Sequence, residues 1–239
     1  MITFTNISGA CEIGSNCYIL DMHGSRIVLD SGMHPKKEGN AAKPDFALIG
    51  AADPDTIFIT HAHLDHIGTL PVFQDEYPGA EVIMTHGTAE VGAAMLHNSV
   101  NVMTAKRLQE GIFEYPFFTH GELERAAHSW ITRPYGEPFR TGRGGNILAT
   151  LHDAGHILGS CCVELEAEDG TTILYTGDLQ FEPQSIIPGA EVPEKGIDIL
   201  IMECTHGCTE RPADYTREDE LMRFASAIRE VLENNGTVL

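Results

Sequence analysis

Apolar positions along the first third of the chain fall in short runs with a period of two. Met1–Ile7, Cys17–Leu20 and Arg26–Leu29 are rich in β-branched and apolar residues and read as strands. Asp21-Met-His-Gly24 is the hairpin turn expected between the last two. Thr56–Thr60 is a brief apolar run after the punctuation of Asp53-Pro-Asp55, the pattern of a buried strand. A helix is predicted from His66 to about Glu76, ended by Tyr77-Pro-Gly79, and a strand at Glu81–Met84. The strongest helical stretch runs from Thr88 to about Gly111, with Val91, Met95, Val102 and Leu108 on one face. Residues 112–146 mix aromatic residues with Gly and Pro and read as a helix followed by a long loop. Strands are predicted again at Ile147–Leu151, Cys161–Leu165, Thr171–Tyr175 and Ile197–Met202. Adjacent Cys161 and Cys162 should then face opposite sides, with at most one in the core. Thr216–Asn234 is a helix with Thr216 as N-cap, acids in its first turn and Gly236 beyond its end. Thr237-Val-Leu239 starts a further strand. The order predicts an α+β chain in which two sheets pack face to face with helices outside them.

Composition narrows this picture. The 239 residues suit one large domain or one and a half small ones. With 42% apolar and 21% charged residues, the chain can bury a sizeable core, which excludes a disordered protein. No apolar run is long enough to span a membrane, and the N-terminus lacks the pattern of a signal peptide, so a cytoplasmic protein is expected. Cys11, Cys17, Cys161, Cys162, Cys204 and Cys208 show no framework spacing and read as thiols. Lysine plus arginine is 15 against 35 acids, a net charge of −20. That argues against broad electrostatic binding of nucleic acid. It leaves open a substrate phosphate held by metal ions, whose charge dominates locally. The acidic run Glu164–Asp169 reads as an exposed hairpin.

The chemistry concentrates in Thr60-His61-Ala-His63-Leu-Asp65-His66-Ile-Gly68, directly after a strand. Imidazole and carboxylate are zinc ligands, and a turn leaving a strand end can present them to both sides of one cavity. Three more positions look like partners. Asp30 and Asp178 stand at strand ends, in Leu29-Asp-Ser-Gly32 and Tyr175-Thr-Gly-Asp178, and His156 lies in the glycine-flanked turn Ala154-Gly-His-Ile-Leu-Gly-Ser160. Each alone is an ordinary turn residue, and only the set in this order carries weight. Cys204-Thr-His-Gly-Cys208 could form a soft metal site, but no second Cys/His cluster completes it, and ordinary thiols are the better reading. His120, His128 and His152 read as structural or surface residues.

The series His61, His63, Asp65, His66, His156 and Asp178 resembles the ligand set of the metallo-β-lactamase superfamily, over most of the chain. The resemblance implies an αββα sandwich with two zinc ions at one edge of the sheets. It implies that His61, His63 and His156 hold the first ion, that Asp65 and His66 hold the second, and that Asp178 bridges them. It gives Asp30 the role of orienting a ligand or water from behind and makes Asp65, Asp30 and Glu203 the catalytic candidates. Ala154–Ser160 is also similar to the histidine motif of the beta-CASP branch. Met202-Glu203-Cys-Thr-His206-Gly207 stands where that branch has an acid followed by Ser-Thr-Tyr-Gly, with Cys204 and His206 as departures. Arg211–Leu239 resembles the opening of a beta-CASP domain, so residues 1–210 are expected to form the metallo-β-lactamase domain and 211–239 the start of a second. Two later histidines of the branch have no counterpart, which makes a fragment the expectation. The function implied is zinc-dependent hydrolysis of RNA phosphodiesters, with RNA as partner, no membrane, and a homodimer left open. The alternatives are a small ester or thioester hydrolase of the same fold, or a non-catalytic subunit of a processing complex.

Overall fold

The computed structural model describes residues 2–8, 14–50, 52–205, 207–210 and 216–238. Its contacts divide the chain into two units, parted between Glu203 and Cys204.

The first unit contains two sheets. One has the order β1 (Ile2–Asn6), β2 (Tyr18–Met22), β3 (Ser25–Leu29), β4 (Thr56–Phe58), β5 (Glu81–Met84) and β6 (Trp130–Thr132). Pairing is antiparallel through β1–β2–β3 and parallel from β3 to β6. The second holds β7 (Phe139–Thr141), β8 (Ile147–Asp153), β9 (Cys161–Ala167), β10 (Thr172–Tyr175) and β11 (Ile199–Ile201), antiparallel except for the β10–β11 pair. Between the sheets, Leu20, Ile27, Leu29 and Phe58 meet Leu151, Val163, Leu165 and Ile173. On the far side of the first sheet lie α1 (Leu64–Ile67), α2 (Leu70–Glu76), α3 (His86–Glu110) and α4 (His120–Ala127). Ile67, Phe73, Leu96 and Met103 of those helices pack on Val28, Ile57, Ile59 and Val82. Consecutive residues Ile57 and Phe58 thus serve two different cores, which is why β4 is apolar throughout instead of alternating. Each such side chain contributes about 1.5–3 kcal/mol by leaving water.

Several expectations need correction. The helix from His66 is two pieces, because the chain turns at Gly68 and restarts with Thr69 as N-cap and Pro71 in the first turn of α2. Residues 112–146 contain α4 as expected but also β6 and β7, short edge strands whose three residues each carry too little periodicity to read. Cys161 and Cys162 do face opposite sides, yet both are buried. Cys161 lies between the sheets, and Cys162 packs with Leu174 beneath Leu179 and Ile197 of the segment that follows β10. Glu164 is not on an exposed hairpin: it is buried and held by His152 at 2.8 Å and Lys195 at 2.6 Å.

In the second unit, α5 (Arg217–Glu233) begins at Thr216, whose hydroxyl accepts from the Asp219 amide at 3.1 Å. Glu218, Asp219 and Glu220 sit in its first turn, where the helix dipole favours them. Thr237 and Val238 form no strand, while Leu239, His206 and the proposed boundary at Arg211 lie outside the described residues. Among the described residues no helix is long and apolar enough to cross a membrane.

Candidate metal centre

Parallel strands carry all their C-terminal ends to one edge, and ligand sites form there. Here β3 delivers Asp30 to that edge and β4 delivers Thr60 and His61. The second sheet arrives at the same place: β8 runs into the turn holding His156, β10 leads to Asp178, and the Cys161 amide donates to the Thr60 carbonyl at 2.8 Å. The segment following Asp30 is docked on the α1 turn by amide bonds from Ser31 to His66 (2.8 Å) and from Met33 to Leu64 (2.7 Å). Gly32 is required there, because a Cβ would stand 1.8 Å from the Asp65 carbonyl.

His61 Nε2 lies 3.1 Å from His63 Nδ1, and His63 Nδ1 lies 3.2 Å from His156 Nε2. Asp178 Oδ2 completes the group, 3.7 Å from His61 Nε2 and 3.5 Å from His156 Nε2. All four donor atoms fall within 4.8 Å of one another. A tetrahedral ion at the zinc–imidazole length separates its ligand atoms by about 3.3–3.4 Å. The three ring nitrogens cannot satisfy one another by hydrogen bonds alone, since each offers at most one proton or one lone pair in that direction. The arrangement fits a metal cation at its centre.

Asp178 turns its other oxygen toward His66, with Oδ1 at 3.3 Å from His66 Nε2. Asp65 Oδ2 is 3.9 Å from the same nitrogen. The opposite ring nitrogen, His66 Nδ1, donates to Asp30 Oδ2 at 2.8 Å. Asp30 is wholly buried and also accepts from the Thr60 amide (2.7 Å), the Thr60 hydroxyl (2.9 Å) and the Tyr175 hydroxyl (2.7 Å). Its backbone is left-handed, φ 61°, a conformation that Asp tolerates better than most residues. Glu203 lies beside this group: its Oε1 accepts from the Leu179 amide at 2.8 Å, directly after Asp178. The structure therefore brings together every one of the eight candidate residues.

Electrostatics divides the histidines. Burial, with the neighbouring imidazoles His66, His63 and His156, pushes His61 well below the ordinary histidine range. Burial also lowers His156, against the pull of Asp178. Burial opposes charge on His66 too, but Asp30 and Asp178 outweigh it and raise its pKa to about 10. Burial tends to raise Asp178, yet His66 and the other imidazoles hold it below the usual carboxylate range. Sequence reasoning gave no role to Asn16, whose Nδ2 sits 2.9 Å from His66 Nε2, nor to Tyr175. Asn16 carries no spacing signal, whereas Tyr175 stands three residues before Asp178 and inside the motif.

Over its whole length the chain is 30% identical to Cleavage and polyadenylation specificity factor subunit 3 of Dictyostelium discoideum. It is also 30% identical, again over 100% of its length, to Endoribonuclease ysh1 of Schizosaccharomyces pombe. It spans 30% of the length of each. A crystal structure of a protein of unknown function from Enterococcus faecalis V583 shares the fold, with 19% identity over 96% of this chain and 57% of that one, at a TM-score of 0.56. The sequence pattern of the metallo-β-lactamase superfamily matches residues 12–198, and the chain belongs to that superfamily.

Proposed function

We propose that this chain is the metal-binding part of a zinc-dependent hydrolase that cleaves RNA phosphodiesters. The observation that carries the reading is the convergence of His61, His63, His156 and Asp178 at tetrahedral spacings, with the second oxygen of Asp178 turned to His66. Imidazole and carboxylate without thiolate suit zinc, and the two-sided carboxylate suits a pair of ions. Relatives named as a polyadenylation specificity factor subunit and as an endoribonuclease support RNA as the substrate.

Zinc bound in such a site lowers the pKa of a water and polarises a phosphoryl oxygen. The chain's own residues set the stage for that chemistry. Asp178 offers one oxygen to each half of the centre. Asp30 holds the proton on His66 Nδ1 and so leaves Nε2 as the atom that would bind a metal in place of a proton. Asp65 stands on the more open side of His66, where its carboxylate can take or return a proton. Glu203 pins the Leu179 amide and thereby the turn that aims Asp178. We read the second unit as the start of a beta-CASP domain, because α5 leaves Leu221, Met222, Phe224 and Leu232 exposed, an apolar face suited to further packing.

The test is elemental analysis of the protein after zinc reconstitution, with cleavage of a labelled RNA, an activated small diester and a thioester, each with and without chelator. Zinc together with chelator-sensitive cleavage of the RNA or diester is expected. Absence of any transition metal, or turnover of the thioester alone, refutes the reading.

A further inference from the structure

Both loops that carry ligand-type side chains to the centre continue into the wall of one pocket. Beyond His156, that wall is Ile157, Leu158 and Gly159, and beyond Asp178 it is Ile186, Ile187 and Pro188. The remainder comes from Asp153 at the end of β8 and from the C-terminal ends of β5 and β6: Thr85, His86 and Gly87 at the head of α3, and Thr132 to Tyr135. The pocket encloses about 480 Å³. Cavities that hold small ligands measure about 300–1,000 Å³. Its coupling to the centre is direct. The Thr85 and Thr88 hydroxyls donate to the Gly159 carbonyl at 2.5 and 2.8 Å. The Gln184 amide donates to the carbonyls of Gly155 and His156 at 2.8 and 2.7 Å.

The lining is mostly apolar and includes the aromatic ring of Tyr135 between the prolines Pro134 and Pro188. Leu158 is 65% exposed and Ile186 is 93% exposed, so neither spends its side chain on the core. Arg133 is the one cation of lysine or arginine type in the wall. Its guanidinium lies 4.7 Å over the Phe139 ring, and its Nε is buried with no hydrogen-bond partner. Asp153 shares the wall, which disfavours a bare phosphate or carboxylate. A planar, neutral group fits a mostly apolar wall that presents one aromatic ring. Nucleobases have that character, and proteins that read single strands hold them on flat side chains.

We propose that this pocket binds a nucleobase of the strand whose scissile phosphate lies at the His61–His63–His156–Asp178 cluster, an inference that rests on the RNA-hydrolase reading above. The pocket then sets which nucleotide stands beside the cleaved bond, while the cluster acts on the phosphate without regard to base.

The test is methyl NMR of the zinc-loaded chain, following Ile157, Leu158, Ile186 and Ile187 during titration with adenosine and uridine 5′-monophosphate. Ribose 5-phosphate and inorganic phosphate form the control arms. Nucleotides at millimolar concentration should shift these methyls, and the controls should not. Replacing Leu158→Ala and Ile186→Ala together, at exposed positions that do not support the fold, should weaken nucleotide binding about ten-fold. Zinc content and hydrolysis of a small activated diester should stay unchanged. The pocket proposal is overturned if the methyls ignore nucleotides, if ribose 5-phosphate shifts them equally, or if the double variant binds as the parent does. Nucleotide binding with turnover of the thioester alone would refute the nuclease reading and leave the pocket standing as a nucleoside site. RNA cleavage without nucleotide binding would do the reverse.

Discussion

Replacing Asp30→Asn separates the support of His66 from the rest of the centre. In the parent, Asp30 Oδ2 accepts from His66 Nδ1 at 2.8 Å, Tyr175 at 2.7 Å and Thr60 at 2.9 Å. Asparagine keeps the size and tolerates the left-handed backbone at φ 61°. It cannot be an anion, however, and one of its two positions must present N–H where an oxygen accepted. His66 then gives up its Nδ1 proton and keeps the one on Nε2, the nitrogen that faces Asp178 and Asp65. Breaking a buried ion pair by removing one partner's charge costs about 3–5 kcal/mol. For a unit of this size each kcal/mol is worth about 2–4 °C, so the metal-free variant should melt about 10 °C lower. Loss of a partner behind a ligand histidine costs about 10- to 100-fold in metal affinity. That loss should fall on the weaker of two zinc affinities, because Asp30 touches none of His61, His63, His156 and Asp178 in the tetrahedral group. Competition against a chromophoric chelator measures both affinities, and thermal denaturation measures the stability. Unchanged melting, or an equal fall in both affinities, refutes the argument that Asp30 acts through His66.

A second expectation concerns pH. The folded pKa of His66 is raised to about 10 from its ordinary value, so in the metal-free protein its stabilising charge is complete below about pH 6.5 and is lost as pH climbs toward 10. The same proton competes with metal, so the weaker zinc affinity should rise by up to about ten-fold per pH unit across neutrality, measured by calorimetric titration at several pH values. The tighter site, with His61 and His156 lowered, should change far less over that range. Asp178→Ala should remove the carboxylate that faces both His61 and His66, and with it most hydrolysis in the diester assay. His120→Ala, which loses exposed contacts to His97 at 2.8 Å and to Asn101 at 3.2 Å, should alter stability by no more than about 0.5 kcal/mol in chemical denaturation. Gly159→Ala places a Cβ 2.3 Å from the Thr88 amide at φ +85°. It should cost about 3 kcal/mol by thermal melting and displace the His156 turn, lowering zinc affinity.

How far the sequence could be read follows from which forces act locally. The motif from His61 to His66 was legible because its ligands crowd into one turn after a strand. Asp30, His156 and Asp178 were legible only as members of an ordered series, since a lone acid or histidine at a strand end is indistinguishable from a turn residue. What could not be read is what those residues touch. Nothing along the chain says that the Tyr175 hydroxyl reaches Asp30 across 145 positions, or that Asn16 stands 2.9 Å from His66. The same limit explains Glu164. Its neighbours in sequence are acidic and look solvated, yet pairing with His152 and Lys195 lets it be buried. The edge strands β6 and β7 were missed because three residues give no period, and their pairing is decided by partners far away in the chain. These omissions bear on function. It is β6 that leads to Arg133 in the pocket wall, so the element hardest to see in the sequence is the one that extends this edge beyond the metal cluster. A reading confined to the metal motif therefore finds the ligand cluster, and only the sheet topology shows the pocket beside it.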